Sequence, residues 1–165
     1  MKSFYKTPRL TLQELTENDA GFILDLVNTA GWLKFIGDRK VKDKIAAENY
    51  IQRIISNPAI HYRVVALADT QTAIGIVTFI KRDYLEHADI GFAFLPAYSN
   101  QGYAFEACKV VLNDLLQQKG HSAVLAVTLK ENTGSLKLLN KLGFSFSKVI
   151  SHEGELLQLL SIQKD

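Results

Sequence analysis

The stretch that decides the fold is residues 87–116, H-A-D-I-G-F-A-F-L-P-A-Y-S-N-Q-G-Y-A-F-E-A-C-K-V-V-L-N-D-L-L. It predicts a strand from His87 to Leu95, a short loop to Gly102, and a helix from about Tyr103 with apolar residues at helical spacing. A helix N-terminus offers unpaired N–H groups and the positive end of the helix dipole. Gly102 permits close backbone approach and dihedral angles that other residues avoid. The pattern therefore predicts a phosphate-binding loop, although it also fits a plain strand-to-helix connection.

The composition is that of an ordinary soluble globular protein and excludes several functional classes. The 165 residues are 47% apolar and 22% charged, with 19 basic against 17 acidic residues. This balance argues against a nucleic-acid partner, and no apolar run reaches membrane-spanning length. No apolar signal segment follows Met1, and Cys108 is the only cysteine, so we expect a cytoplasmic protein without a disulfide. No metal site is predicted.

The order of predicted elements is β-α-α-β-β-β-α-β-α-β-β, beginning with a strand at Arg9–Leu15. Residues 31–39 are rich in aromatic side chains and are predicted to be irregular. This order predicts an α/β fold with one mixed, mostly antiparallel sheet of about seven strands and about four flanking helices. The strands on either side of the central helix should form a parallel pair, and ligands of such sheets bind where neighbouring strands diverge.

Four motifs resemble one enzyme family, the GNAT acyl-CoA-dependent N-acetyltransferases. The loop Ser-Asn-Gln-Gly-Tyr-Ala at 99–104 resembles the family's Gln/Arg-x-x-Gly-x-Gly/Ala, although Ser99 departs from it at the first position. The surrounding string is similar to the ribosomal-protein N-terminal (RimJ/RimL-like) branch. So are three further motifs: Arg-Leu-x-Leu at 9–12, Gly-Trp-Leu-x-Phe-Ile-Gly-Asp-Arg at 31–39, and Asn-x-x-Ser at 132–135 followed by Lys-Leu-Gly-Phe at 141–144. The resemblance covers nearly the whole chain and implies a single acyl-CoA N-acyltransferase domain over 1–165, with a V-shaped splay between the central strands.

The resemblance also implies which residues bind acetyl-CoA. Backbone groups on the splayed strand would pair with the pantetheine arm, a backbone N–H near Phe94 would stabilise the oxyanion, and backbone N–H groups of the loop would hold the pyrophosphate. Asn132 would either contact the pantetheine or serve only as a helix N-cap. The implied residues are Phe92, Ala93 and Phe94 on the strand, then Asn100, Gln101, Gly102, Tyr103, Ala104 and Phe105 in the loop and helix start.

The catalytic residues are expected on the central strand and the last helix. Asp89 lies two residues before Gly91, where relatives often carry Glu, and it is predicted to be the general base, acting through water. Alternatively it is a structurally paired strand residue, and His87 is the other candidate base. Many GNAT enzymes carry an acidic tyrosine where this chain has Leu139. In the branch that the chain resembles a serine takes this role, and the resemblance implies that Ser135, which stands at its place, hydrogen-bonds the thiol sulfur. Ser135 could equally support the first turn of its helix.

Trp32, Phe35 and Arg39 are the candidate acceptor-binding residues. Core packing is the alternative for the aromatic pair. Arg39 could bind an acidic group on the acceptor, and the alternative is a solvated arginine. The predicted reaction is direct attack of a primary amine on acetyl-CoA. A weak base such as Asp89 favours an acceptor amine with a low pKa, such as a protein N-terminus. The alternatives are a small-molecule amine, or a CoA-binding module without catalysis. Both a monomer and a homodimer remain open.

Overall fold

The computed structural model describes residues 1–118 and 120–164, which form one sheet with helices on both faces. The described strands are β1 Phe4–Lys6, β2 Leu10–Glu14, β3 Ile60–Leu67, β4 Ala73–Ile80, β5 Asp89–Phe94, β6 Ala123–Leu129, β7 Ser145–His152 and β8 Glu155–Gln163. The described helices are α1 Ala20–Val27, α2 Ala30–Phe35, α3 Lys44–Ile55, α4 Tyr103–Gln117 and α5 Thr133–Lys141, with short 3₁₀ turns at Glu17–Asp19 and Pro96–Tyr98.

The sheet confirms the predicted mixed, mostly antiparallel architecture. Its strand order is β1-β2-β3-β4-β5-β6-β8-β7, and β5–β6 is the parallel pair. These two strands share a single register pair, Asp89 with Leu125, and the Leu125 N–H donates to the carbonyl of Ala88 at 2.9 Å. Beyond that pair the strands diverge, which is the expected V-shaped splay.

The two faces of the sheet bury separate cores because side chains alternate along each strand. Val65 points towards the core that contains α4 and α5, whereas its neighbour Val64 points towards the core of α1, α2 and α3. Helix α4 buries five residues on one stripe, namely Ala107, Cys108, Val111, Leu112 and Leu115. The splay between β5 and β6 lies between these two cores.

The described chain has eight strands and five α-helices, where the sequence predicted about seven and about four. Strand β1 was not predicted because it has three residues and buries only Tyr5, which is too short for an alternating pattern. Helix α2 falls within residues predicted to be irregular. The Thr29 side chain caps it by accepting a hydrogen bond from the Trp32 N–H at 3.3 Å. This cap was not predicted, because the glycine at position 31 favoured an irregular segment. None of the described helices is both long and apolar enough to cross a membrane.

Candidate active site

The splay between β5 and β6 opens a cavity of about 1080 Å³. Its walls come from both sides of the sheet: Phe35 and Tyr50 belong to the helices on one face, and Phe105 and Leu138 belong to those on the other. The cavity therefore passes through the sheet and offers two approaches to one central gap. Such a passage suits a reaction between two substrates that enter from opposite faces.

At one end of the cavity, the loop before α4 has the features of an anion-binding cradle. Gly102 is the N-cap of α4 and has φ +83°, a left-handed conformation that favours glycine. Among the described residues, none accepts a hydrogen bond from the backbone N–H groups of residues 100–105. These N–H groups and the positive end of the α4 dipole are thus available to a phosphate.

Arg9 was not predicted as part of this cradle, although the Arg-Leu-x-Leu motif contains it. Its Nη1 donates to the Gln101 carbonyl at 3.1 Å, and its Nε forms an ion pair with Glu106 at 2.7 Å. A Cβ built on Gly102 would lie 3.3 Å from Arg9 Nη2. The guanidinium also lies 4.5 Å from the centre of the Tyr103 ring. Arg9 therefore fixes the loop and places a guanidinium group, paired with Glu106, beside Gly102.

The cavity-facing edge of β5 is open beyond its first residue. Phe92, Ala93 and Phe94 line the cavity, and Asp89 is the only β5 residue in register with β6. The Phe94 ring lies over Gly75 of β4, where an added Cβ would fall 2.3 Å from the ring. An unpaired strand edge presents backbone N–H and C=O groups to an extended ligand. The chain's own backbone therefore fits a pantetheine arm at this edge.

Asp89 lines the cavity, is only 2% exposed, and forms a close ion pair with Arg82. Arg82 Nε lies 2.6 Å from Asp89 Oδ1, and Arg82 Nη2 donates to Oδ2 at 3.4 Å. Burial raises the pKa of Asp89, and the hydrogen bond and charge of Arg82 offset this only in part. Asp89 is thus structurally paired, which is the alternative given for it in the sequence analysis. It also lies in the cavity with a raised pKa, which a general base would need.

His87, the other candidate base, lies outside the cavity lining. β5 begins at Asp89, two residues later than the predicted start, so His87 does not share the strand's alternation. Its Nε2 lies 3.8 Å from the Glu86 carboxylate instead. The predicted start of the strand at His87 is therefore wrong, and Asp89 is the candidate base that the structure places in the cavity.

The start of α5 brings Asn132 and Ser135 to the cavity wall. Asn132 is the N-cap, and its Oδ1 accepts from the Ser135 N–H at 3.2 Å, which supports the capping alternative for its oxygen. Within residues 1–118 and 120–164 the Ser135 hydroxyl has no hydrogen-bond partner, so it is free to contact a ligand. Leu139 is buried and offers no acid. Cys108 is buried in α4, where burial raises the pKa of its thiol.

With this geometry in place, comparison with known proteins decides the family. The family model described as "Acetyltransferase (GNAT) domain" matches residues 9–145. The chain belongs to the GNAT acetyltransferase family. Acetyl transfer to amines is therefore its supported activity, and the acceptor is left open.

Known GNAT proteins resemble the chain over most of its length. The curated "Uncharacterized N-acetyltransferase YnaD" of Bacillus subtilis is 26% identical over 83% of this chain and 79% of its own length. The ribosomal-protein-S5-alanine acetyltransferase of Vibrio fischeri superposes with a TM-score of 0.81, at 16% identity, covering 99% of this chain and 98% of that one. The spermidine N-acetyltransferase of Vibrio cholerae, solved with CoA and spermine, gives 0.79 at 19% identity, covering 96% and 97%. The two structures share the fold and differ in the acceptor they are named for.

The GNAT cavity of this chain has a second end, bounded by helices α2 and α3. Trp32 is 4% exposed and its Nε1 donates to the Gly37 carbonyl at 3.1 Å. Its main role is therefore core packing, which was the alternative to acceptor binding. Phe35 and Arg39 line the cavity. Five further polar or aromatic residues at this end were not predicted: Tyr50, Arg53, Tyr62, Arg82 and Tyr84.

Two of these unpredicted residues form a hydrogen-bonded pair. The Tyr50 hydroxyl lies 3.3 Å from the Tyr62 hydroxyl. Burial raises the pKa of Tyr62, so it stays neutral. The alternation of β3 could have indicated Tyr62, because a polar-tipped side chain there faces the core of α1–α3. Tyr50 lies four residues before Ile54 on the apolar face of α3, so its spacing indicates packing against the same core but not a functional role.

Proposed function

We propose that this protein transfers the acetyl group of acetyl-CoA to the α-amino group of a peptide or protein. The observation that supports this acceptor is the state of Asp89. Among the described residues that line the cavity, Asp89 is the only carboxylate, and Arg82 holds it at 2.6 Å. Although burial raises the pKa of Asp89, the Arg82 guanidinium opposes that rise, and a carboxylate is a weak base beside an amine, so the acceptor should supply its own neutral amine.

An α-amino group meets this requirement better than a lysine side chain. Its reference pKa is about 7.8 against about 10.4 for lysine, so near pH 7 the neutral fraction is larger by on the order of 300-fold. The motifs shared with the ribosomal-protein N-terminal branch favour the same kind of acceptor. The CoA part of the proposal rests on the Gly102 cradle and the open β5 edge, which fit a pyrophosphate and a pantetheine arm.

The reaction requires no covalent link to the enzyme. Acetyl-CoA supplies an activated thioester, whose C–S bond breaks as the C–N bond to the amine forms. Asp89 accepts the proton that the amine loses, through one water molecule. The backbone N–H near Phe94 donates to the carbonyl oxygen as negative charge develops on it. Ser135 donates a hydrogen bond to the departing sulfur, which finally takes up one proton.

The test is release of free thiol from acetyl-CoA with matched acceptors. The first is a peptide with a free N-terminus, and the second is the same peptide with a blocked N-terminus and an internal lysine. Spermidine and an aminoglycoside complete the set. We expect thiol release with the free N-terminus alone, and mass spectrometry should place the acetyl group on the α-nitrogen.

Three other results would contradict the proposal. Release with the blocked peptide would indicate a lysine acetyltransferase, and release with spermidine alone would indicate a small-molecule enzyme. No release with any amine, while calorimetry shows CoA binding, would indicate a CoA-binding module without catalysis.

A further inference from the structure

Three arginines from different parts of the chain line the end of the cavity that is bounded by α2 and α3, which is called the acceptor end below. Arg39 precedes α3, Arg53 lies in the last turn of α3, and Arg82 follows β4. All three line the same cavity as Tyr62. In agreement with this placement, the charges of Arg39 and Arg82 both lower the pKa of Tyr62 against the larger effect of burial. Arg53 is three residues after Tyr50, whose hydroxyl contacts that of Tyr62, so it faces the same region.

Only one of the three arginines is neutralised by the described part of the chain. Asp89 pairs with Arg82 at 2.6 Å and contributes the only carboxylate to the described lining. Within residues 1–118 and 120–164, neither Arg39 nor Arg53 has a carboxylate oxygen within 4.0 Å. The acceptor end therefore carries two guanidinium groups whose charge is uncompensated, and both are exposed to the cavity and the solvent.

The phosphates of CoA do not account for these two arginines. The proposed cradle lies at the start of α4, which packs on the opposite face of the sheet from α3. The cradle also has basic residues of its own: Arg9 lies beside Gly102, and Lys141 lies over the Phe105 ring at 4.5 Å. Arg39 and Arg53 instead belong to the side on which the acceptor would enter.

We infer that the acceptor carries a carboxylate close to its reacting amine, and that Arg39 and Arg53 bind this carboxylate. The inference rests on the proposed function and narrows its acceptor. Guanidinium groups bind carboxylates through paired hydrogen bonds, which give geometric specificity as well as affinity. Two sources share the required chemistry: a peptide with Asp or Glu next to its N-terminal residue, and a free amino acid, whose α-carboxylate lies beside its amine.

The same charges disfavour polycationic acceptors. Each additional ammonium group held a few ångströms from an uncompensated guanidinium should weaken binding about tenfold, less at high salt. A spermidine-like acceptor needs carboxylates at this end, and the described lining offers only the one that Arg82 already holds. Polyamines and basic peptides should therefore be the poorest acceptors.

The first experiment compares three peptides that differ only at their second and third residues: Ser-Glu-Glu, Ser-Gln-Gln and Ser-Lys-Lys, each with the same neutral tail. We expect kcat/KM to be at least tenfold higher for the acidic peptide than for the neutral one, and lowest for the basic one. Free serine and serinamide, which differ only in the α-carboxylate, form a second pair that separates the two sources. A preference for serine over serinamide, with weak peptide activity, would keep the carboxylate inference and overturn the peptide acceptor of the proposed function.

The second experiment removes the charges one at a time. Arg39→Gln and Arg53→Gln should each raise KM for the acidic peptide about tenfold, and so reduce its advantage in kcat/KM over the neutral peptide by about the same factor. Lys44→Gln is the matched control, because it removes an exposed positive charge from α3 outside the cavity lining. It should change neither peptide's kinetics.

Several results would overturn the inference. Equal kcat/KM for the three peptides would do so while leaving α-amine transfer intact, because all three carry the same α-amine. A retained acidic preference in both arginine variants would also reject it. A rise in KM for acetyl-CoA, rather than for the peptide, would show that the two arginines hold phosphates instead. Activity on spermidine alone would reject both the inference and the proposed function.

Discussion

Replacing Gly102 with glutamate should abolish CoA binding while leaving the protein folded. A Cβ at this position would lie 3.3 Å from Arg9 Nη2, a side-chain terminus that makes none of the hydrogen bonds by which Arg9 is held, so the steric cost without ligand is small. The new carboxylate, however, would stand among the N–H groups proposed to hold the pyrophosphate. At about 5 Å and an effective dielectric constant of about 20, each pair of like charges costs about 3 kcal/mol, which is more than 100-fold in affinity.

The substitution also carries a backbone cost that has to be separated from the loss of binding. Gly102 has φ +83°, and a side chain in this left-handed conformation costs about 1–2 kcal/mol of folding free energy. Gly154 in the β7–β8 turn has the same φ, has open space around its Cβ position, and does not line the cavity. Gly154→Glu therefore reproduces the strain and the added charge away from the cradle.

The assay pairs thermal unfolding with calorimetric titration of CoA. Both variants should lose roughly 2–8 °C in Tm, because a domain of this size shifts about 2–4 °C per kcal/mol. The Gly154 variant should keep the wild-type Kd for CoA, and the Gly102 variant should show no measurable binding. Wild-type affinity in a folded Gly102 variant would refute the placement of the pyrophosphate at the start of α4.

Further substitutions test the remaining parts of the site. Asp89→Asn should lower kcat at least 100-fold with little change in CoA affinity; unchanged turnover across the pH range would remove Asp89 as the base. Because the folded-state pKa of Asp89 is raised, its contribution to stability should be lost as pH rises through that pKa, so denaturant titrations should show the wild type falling relative to the variant. Ser135→Ala should lower kcat about tenfold and leave Tm unchanged, because alanine keeps the backbone N–H that donates a hydrogen bond to Asn132 Oδ1; a large fall in Tm would indicate a purely structural serine. Gly75→Ala should force the Phe94 ring aside and lower Tm by at least several degrees, since its Cβ would lie 2.3 Å from the ring; an unchanged Tm would contradict that packing.

The phosphate cradle was predictable because all of its backbone is local in sequence. The strand, the glycine turn and the amphipathic helix follow one another within residues 87–116, and each leaves a periodic or compositional pattern. The splay was expected from the family resemblance, and the single Asp89–Leu125 register pair confirms it. Strand β1 and helix α2 were missed because three and six residues are too few for periodicity to show.

The pairing of Asp89 with Arg82 is a contact that sequence patterns could not predict. Arg82 falls in the polar connection between β4 and β5 and has the composition of a solvated turn. Its position beside Asp89 follows from the sheet register, which sets Ile80 opposite Asp89 and so brings the residues after Ile80 to the start of β5. A prediction of this contact needs the register of the hairpin, and periodicity alone does not provide it.

The arginines at the acceptor end should also affect how easily the bound amine loses its proton. A cationic environment disfavours the protonated form of a bound amine, so its pKa should fall below the value in solution. Arg39 and Arg53 would therefore help to deprotonate the amine while holding the carboxylate next to it. The site needs little basicity from Asp89 as a result, which is consistent with a carboxylate that Arg82 holds at 2.6 Å. The uncompensated charge of Arg39 and Arg53 thus favours an acidic acceptor and also lowers the demand on Asp89 as a base.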